Sequence, residues 1–127
     1  MGYPPCMRFS EDQLGLIDRT GEVEIETVAA DGIAHRAIIW AIVGDGEVFI
    51  RSYVGPTAKW YRRALAHPSV ALIVDGQRLP AEALQAADSV SIERASAGFL
   101  RKYPDSPATP RMNRPEVLDL TLRLERV

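Results

Sequence analysis

Val48-Phe49-Ile50-Arg51-Ser52-Tyr53-Val54-Gly55-Pro56-Thr57-Ala58-Lys59-Trp60-Tyr61-Arg62 runs from a strand pattern through a glycine–proline break into a helical one. Its first part is apolar and β-branched, as a buried strand requires, and it ends in a cation and a hydroxyl, Arg51 and Ser52. Gly55-Pro56 interrupts the strand. Thr57 has the side chain of a helix N-cap, and Trp60, Ala64 and Leu65 predict an apolar helix face over 58 to about 66, stopped by His67-Pro68. Such a corner leaves backbone N–H groups free at the helix start, where the helix dipole favours an anion. Arg51 and Lys59 supply charge for a phosphate there, with Ser52 and Thr57 as hydroxyl donors. The spacing fits equally a plainer arrangement in which Thr57 only caps the helix and the cations are solvated.

Working outward, Gly44-Asp45-Gly46 is a hairpin turn that pairs a strand over 47–53 with the apolar run before it. That run, 33–43, is apolar at nearly every position and predicts a single strand covered on both faces. Glu22, Glu24 and Glu26 alternate with Val23, Ile25 and Thr27 as a half-exposed strand, and the acidic face discourages edge pairing. Ser10 to Gln13 has the form of a capping box and predicts a short helix over 10–18. Beyond the corner, Asp75-Gly76 joins strands over 70–74 and 78–86, with Pro80 placing the second at an edge or a bulge. Asp88 or Ser89 caps a helix to about 103, with Ile92, Ala95, Phe99 and Leu100 at helical spacing. A proline-rich loop over 104–115 leads to a last strand in which Leu118, Leu120, Leu122 and Leu124 alternate with polar residues. Most neighbouring strands are joined by turns too short for parallel crossovers, so the order predicts one domain, 1–127, built as an antiparallel barrel or curled sheet with helices at its ends.

Composition narrows the function. The chain has 127 residues, a net charge of −2 and a pI near 5.7, which offers nucleic acid no general attraction. Cys6 is the only cysteine, so no internal disulfide or cysteine-based zinc site is available, and a reducing, cytoplasmic setting is expected. No apolar run approaches the roughly 20 residues of a membrane-spanning helix, and the first nine residues do not resemble a secretory signal. His35 and His67 are isolated, the second suited to a helix C-terminus, and no metal site is expected from them. No glycine-rich nucleotide loop and no paired nucleophile and base are present, which leaves the catalytic residues unassigned. A cofactor that brings its own reactivity is then the economical source of any chemistry, and hydride transfer meets that requirement.

The corner resembles the FMN-binding split-barrel superfamily, the pyridoxamine-phosphate-oxidase-like proteins, and within it the branch similar to deazaflavin-dependent nitroreductases. The residues that carry the resemblance are the strand pair at Gly44-Asp45-Gly46, Phe49-Ile50-Arg51-Ser52, Thr57-Ala58-Lys59-Trp60-Tyr61-Arg62-Arg63 and His67-Pro68-Ser69-Val70-Ala71-Leu72, with His67 where asparagine is usual. It covers about residues 21–90, and Phe99 to Tyr103 are similar to a later helix of that group. The resemblance implies a fold that is mainly β with α, a six-stranded antiparallel split β-barrel with flanking helices. It implies an FMN or deazaflavin coenzyme, with Arg51, Ser52, Thr57 and Lys59 on its phosphate and Ile38, Ile39 and Trp40 beside its ring; Trp60 is a candidate to stack on that ring. It also implies a homodimer with the cofactor at the subunit interface. The activity implied is hydride transfer to or from a small organic substrate, the alternative being a non-catalytic dimeric cofactor-binding module of the same fold. The chain lacks the long basic N-terminal stretch of many pyridoxamine-phosphate oxidases and, beyond Tyr3, the tyrosine-rich N-terminus of the nitroreductases, so the substrate stays open.

Overall fold

The apolar run 33–43 is two strands rather than one. In the computed structural model, which describes residues 8–127, β2 (Ala34–Ile39) and β3 (Ala41–Gly44) are separated by Trp40 alone. With β1 (Val23–Val28), β4 (Glu47–Arg51), β5 (Ser69–Val74), β6 (Gln77–Gln85) and β7 (Thr121–Arg126) they make one seven-stranded sheet, not six strands. Every pairing is antiparallel, in the order β2-β1-β5-β6-β7-β4-β3.

This order dictates the shape. β2 and β3 are the two edges of the sheet, and laid flat, six strand spacings would hold them about 29 Å apart. One intervening residue allows its neighbours' Cα atoms no more than about 7.6 Å. The sheet therefore curls until its edges meet, and because β2 and β3 do not pair, they meet at a seam. A continuous apolar run hides this break, since both strands need the same residue types.

Alternation along β1 turns Val23, Ile25 and Thr27 inward, where they join Val48, Ile50, Leu72, Leu122 and Leu124 in the barrel core. Helix α1 (Glu11–Arg19) closes onto this core with Leu16 and Ile17, and α2 (Lys59–Ala66) with Tyr61 and Ala64. The opposite face of β4 carries Phe49, which packs outside the barrel with Ile42 against Ala95 and Phe99 of α3 (Ser89–Lys102). Gly98 lets α3 approach this closely: a Cβ there would stand 2.5 Å from Ile42 Cδ1. The next turn of the chain, α4 (Thr109–Met112), adds Met112 to the same cluster.

Several local expectations are corrected. The Glu22, Glu24 and Glu26 face does not guard an edge, because β1 lies inside the sheet between β2 and β5; Glu26 accepts from Arg36 at 3.3 Å and from Arg78 at 2.8 Å instead. Thr57 does not cap α2, whose N-cap is Ala58 with no side-chain hydrogen bond. Leu118 and Leu120 lie in a 3-10 turn, Pro115–Leu120, held by the Thr121 hydroxyl donating to Leu118 O, so β7 starts only at Thr121. β6 is interior, and Pro80 is accommodated because β7 has run out one residue earlier, at the Ala81–Arg126 pair. Elsewhere Asp88 caps α3, Ser10 and Gln13 form the capping box, and His67 is the C-cap of α2. Cys6 and Tyr3 lie outside the described residues. No helix among the described residues is long and apolar enough to cross a membrane.

One clasp that ties α3 to α1 and to β3 has a testable pH dependence. The Lys102 ammonium donates to Ile17 O at 2.8 Å and to Ala41 O at 2.6 Å, and burial pulls its pKa down to about 8, opposed by a smaller upward pull from Asp18 and aided by Arg101. Between that value and the ordinary lysine range the unfolded chain binds more protons, so this group adds stability as pH rises and loses it as pH falls through 8. Tyr103 and Tyr61 act oppositely: burial raises both phenols, so their contribution falls once the unfolded tyrosines ionise near pH 10. The stability difference between the wild type and Lys102→Met, followed by urea unfolding, is expected to grow by about 1–2 kcal/mol from pH 8 to 10 after allowance for solvent screening. A difference that does not change with pH rules the assignment out.

Candidate functional site

The seam is where a pocket opens. Ile38, Ile39 and Trp40 come from the end of β2 and the break itself, Arg51, Tyr53 and Val54 from the end of β4, and Ala58 and Trp60 from the start of α2. Ala108 and Met112, around α4, form the remaining wall, and Glu22 stands at the margin. The cavity measures about 540 Å³, within the range of small-molecule and cofactor sites. Both tryptophans of the sequence line it.

Trp40 is fixed from behind. Its ring stacks on Tyr103 with centroids 3.8 Å apart and planes 8° from parallel, and it meets Phe99 at 6.5 Å. The Tyr103 hydroxyl in turn donates to Gly21 O, which ties the end of α3 to the start of β1. A residue that breaks a strand is thereby given a defined orientation at the pocket wall.

Arg51 shares the outward face of β4 with Phe49, and that position puts its guanidinium under α3 rather than in water: the residue is 2% exposed. Nε donates to the Thr121 hydroxyl at 2.8 Å. One terminal nitrogen is shared among Met112 O at 2.9 Å, Asn113 Oδ1 at 3.0 Å and the Ser96 hydroxyl at 3.2 Å, and the other donates to Ile92 O at 3.3 Å. The guanidinium also lies 5.3 Å from the Phe99 ring centre. Every acceptor is neutral, and no carboxylate among the described residues pairs with it. Burial without an acidic partner pulls its pKa down to about 10. A guanidinium has five N–H groups, so one hydrogen on the second terminal nitrogen is left over on a side chain that lines the pocket.

The start of α2 adds further donors. Its first intrahelical bond from the cap is Arg62 N–H to Ala58 O, and the N–H groups of Lys59, Trp60 and Tyr61 have no acceptor among the described residues. Ala58 and Trp60 bring this uncapped end to the wall of the pocket.

Of the residues singled out from sequence, Ile38, Ile39, Trp40, Arg51 and Trp60 are brought around this one cavity. The other three are not. Ser52 is buried and donates to Gly55 O at 2.6 Å, which shapes the loop; Thr57 is exposed; Lys59 lines a separate groove with Arg62, Arg63 and His67. Four residues of a single phosphate cradle are thus divided among a pocket, a loop and a groove. Sequence reasoning missed Met112 and Asn113, which orient Arg51, because the stretch 104–115 has neither period, and it missed Ser96 because a polar residue on a predicted helix carries no sign of a distant partner.

Comparison with known proteins adds family and fold. The family described as "Uncharacterized protein conserved in bacteria (DUF2255)" matches residues 13–124, a span running from α1 into β7. The chain belongs to DUF2255. Among solved structures, the chain is similar to HutZ, the heme storage protein from Vibrio cholerae, with a TM-score of 0.70 at 12% identity over 95% of this chain and 92% of that one. It is similar to a putative pyridoxamine 5'-phosphate oxidase from Listeria innocua, with a TM-score of 0.60 at 14% identity over 92% and 90%. It is also similar to an F420-H2 dependent reductase, FDR-A, with a TM-score of 0.62 at 16% identity over 83% and 93%. These superpositions show the fold alone: this DUF2255 chain has the split-barrel architecture, as a seven-stranded curled sheet. They do not single out the deazaflavin nitroreductases. No curated protein matches the sequence significantly.

Proposed function

We propose that this DUF2255 chain is a cofactor-binding protein that holds a planar, anionic, aromatic cofactor of the FMN or deazaflavin type between Trp40, Trp60 and the Ile38–Ile39 edge. The observation that carries the reading is the pocket itself: apolar and aromatic walls beside a buried cation with an unspent N–H. An apolar cavity suits a fused ring system, and a desolvated guanidinium with the free N–H groups of α2 suits a phosphate. The phosphate is therefore assigned to Arg51 and the helix start, while Lys59, in the neighbouring groove, contributes attraction from a distance. Two similar structures are named for a pyridoxamine 5'-phosphate oxidase and for dependence on F420-H2, which supports a flavin-type group, while HutZ, named for heme storage, makes haem the competing planar ligand.

Such a cofactor, when bound, supplies hydride transfer to or from a small organic molecule. The chain's own residues bind and orient it: the Trp40–Tyr103 stack sets the plane of one wall, and Met112 and Ala108 keep water from the other. The ionisable groups lining the pocket are Glu22, Arg51 and Tyr53, with no nucleophile and base paired among them. That observation favours the second reading as well, a binding module of the same fold without turnover. Ile38 and Val54 are 67% and 63% exposed at the pocket rim, and a second copy covering them makes a homodimer with the site at its interface. A single cysteine in the sequence favours a reducing compartment, the cytoplasm.

Because both tryptophans line the pocket, intrinsic fluorescence tests the reading directly. Titration of the purified chain with FMN, with the deazaflavin coenzyme and with hemin is expected to show saturable, near-stoichiometric quenching by one of the first two. Quenching by hemin alone replaces the flavin-type assignment with haem, and no quenching by any of the three removes the proposal.

A further inference from the structure

Arg51 is oriented by five neutral acceptors and neutralised by none, and one residue decides this. Asn113 Oδ1 lies 3.0 Å from Arg51 Nη1, a position from which an aspartate of nearly the same size would form a buried ion pair. The amide is fixed at both ends, because its Nδ2 donates to Ser96 O at 3.2 Å, a bond that a carboxylate cannot make. Taking a guanidinium out of water without a counter-ion is costly, and the surrounding carbonyls and hydroxyls compensate only in part. Elsewhere the same chain pairs its partly buried arginines with acids: Arg94 and Arg123 both reach Glu47, and Arg123 also meets Glu125. The exception is the arginine that lines the pocket.

We propose that Asn113 is a specificity-determining positioning residue: it holds the Arg51 guanidinium in place with its charge unspent, so that the ligand supplies the counter-ion and the pocket selects an anionic planar cofactor over its uncharged counterpart. This deepens the reading of the pocket as a cofactor site and rests on it. The ligand class follows from the geometry. Nη1 already has three acceptors for two hydrogens, whereas Nη2 has one acceptor for two, so the incoming anion takes the spare Nη2 hydrogen without displacing Asn113. A neutral ligand of the same shape fills the same walls and leaves the charge uncompensated.

The test compares ligands that share a ring and ribityl chain and differ in the anionic phosphate: FMN with riboflavin, where the phosphate group is the whole difference, and the deazaflavin coenzyme with its phosphate-free ribityl core, by titration of the full chain. In the wild type the charged member of the pair that binds is expected to be held at least about tenfold more tightly, as fits a charge-assisted bond in a desolvated site. Asn113→Asp is expected to bring that preference close to one while leaving the affinity for the uncharged member unchanged, because the new carboxylate takes the guanidinium for itself. Asn113→Ser, which removes the holder without adding charge, is expected to weaken the charged member alone, and Arg51→Lys to keep part of the preference. A wild type without charge preference overturns the proposal on its own, whether or not any variant folds. So does an Asn113→Asp protein that keeps the preference. If no member of either pair binds, the cofactor reading falls and takes this proposal with it; binding without discrimination leaves that reading standing.

Discussion

Phe99→Ala is expected to lower the stability of the chain by about 4 kcal/mol, the largest effect of any single truncation in the cluster behind the pocket wall. Phe99 is fully buried and joins Ile42, Phe49, Ala95 and Met112 in the cluster under α3. Removing its ring forfeits both the transfer free energy and the cavity term, because the sheet on one side and the helix on the other cannot close the gap. The loss extends to the site, since the same ring lies 5.3 Å from the Arg51 guanidinium and 6.5 Å from the centre of Trp40. Phe99→Leu keeps most of the volume and is expected to cost about 1.5 kcal/mol, so the pair separates packing from the aromatic contribution to Arg51. Urea unfolding followed by far-UV circular dichroism measures both. A loss below about 1 kcal/mol for the alanine variant would show that α3 is not seated as described.

Arg51→Ala is expected to cost about 3 kcal/mol, although it removes a buried charge. Two effects oppose each other. Relief of desolvation favours the variant; the orphaned Met112 O and Asn113 Oδ1, together with the void, oppose it. The second wins because this one side chain ties β4 to α3 and to the segment after α4, and adds a side-chain bond to the backbone ladder that already joins β4 to β7. The loss stays well below the sum of five hydrogen bonds, since water from the adjoining pocket reaches some of the acceptors. Ligand binding is expected to fall together with stability, whereas Lys59→Ala, on the separate groove, is expected to change stability by less than about 0.5 kcal/mol. Comparable losses for the two variants would mean that Arg51 is not the internal tie described.

Much of the architecture was legible because it depends on local signals. The turns at Asp45-Gly46 and Asp75-Gly76 carry positive φ at both residues, the backbone geometry those sequences favour, and each joins adjacent antiparallel strands. The caps at Ser10 and Asp88 are also side-chain chemistry within four residues. What sequence concealed depends on distant partners. Trp40 sits in a run apolar enough for one strand, and only the sheet order, fixed by β1, β5 and β7, reveals that the chain changes edge there. Arg51 reads as a solvent-facing charge at a strand end, yet its alternation with Ile50 turns it under a helix that begins 38 residues later, at Ser89. Asn113 has no periodic neighbours to mark it, and its role is visible only once Arg51 and Ser96 are beside it. For the pocket, five residues chosen for an anion and a ring converge, but the two hydroxyls and the lysine of the same corner do not: Ser52 bonds Gly55 O, α2 begins two residues after Thr57, and Lys59 faces the neighbouring groove.

The single-residue junction at Trp40 also fixes a chain length. Side chains alternate along a strand, so one extra residue between Ile39 and Ala41 would reverse the facing of Ala41, Ile42 and Val43 against β4, or else force the two rims of the cylinder apart. The stretch between α3 and β7, which forms no strand over 103–120, carries no such parity and absorbs insertions at exposed positions that leave the Met112 and Asn113 contacts to Arg51 in place. Variation in length among folds of this kind should accumulate on that side, where it resizes the cavity while the ring-bearing hinge opposite keeps its count.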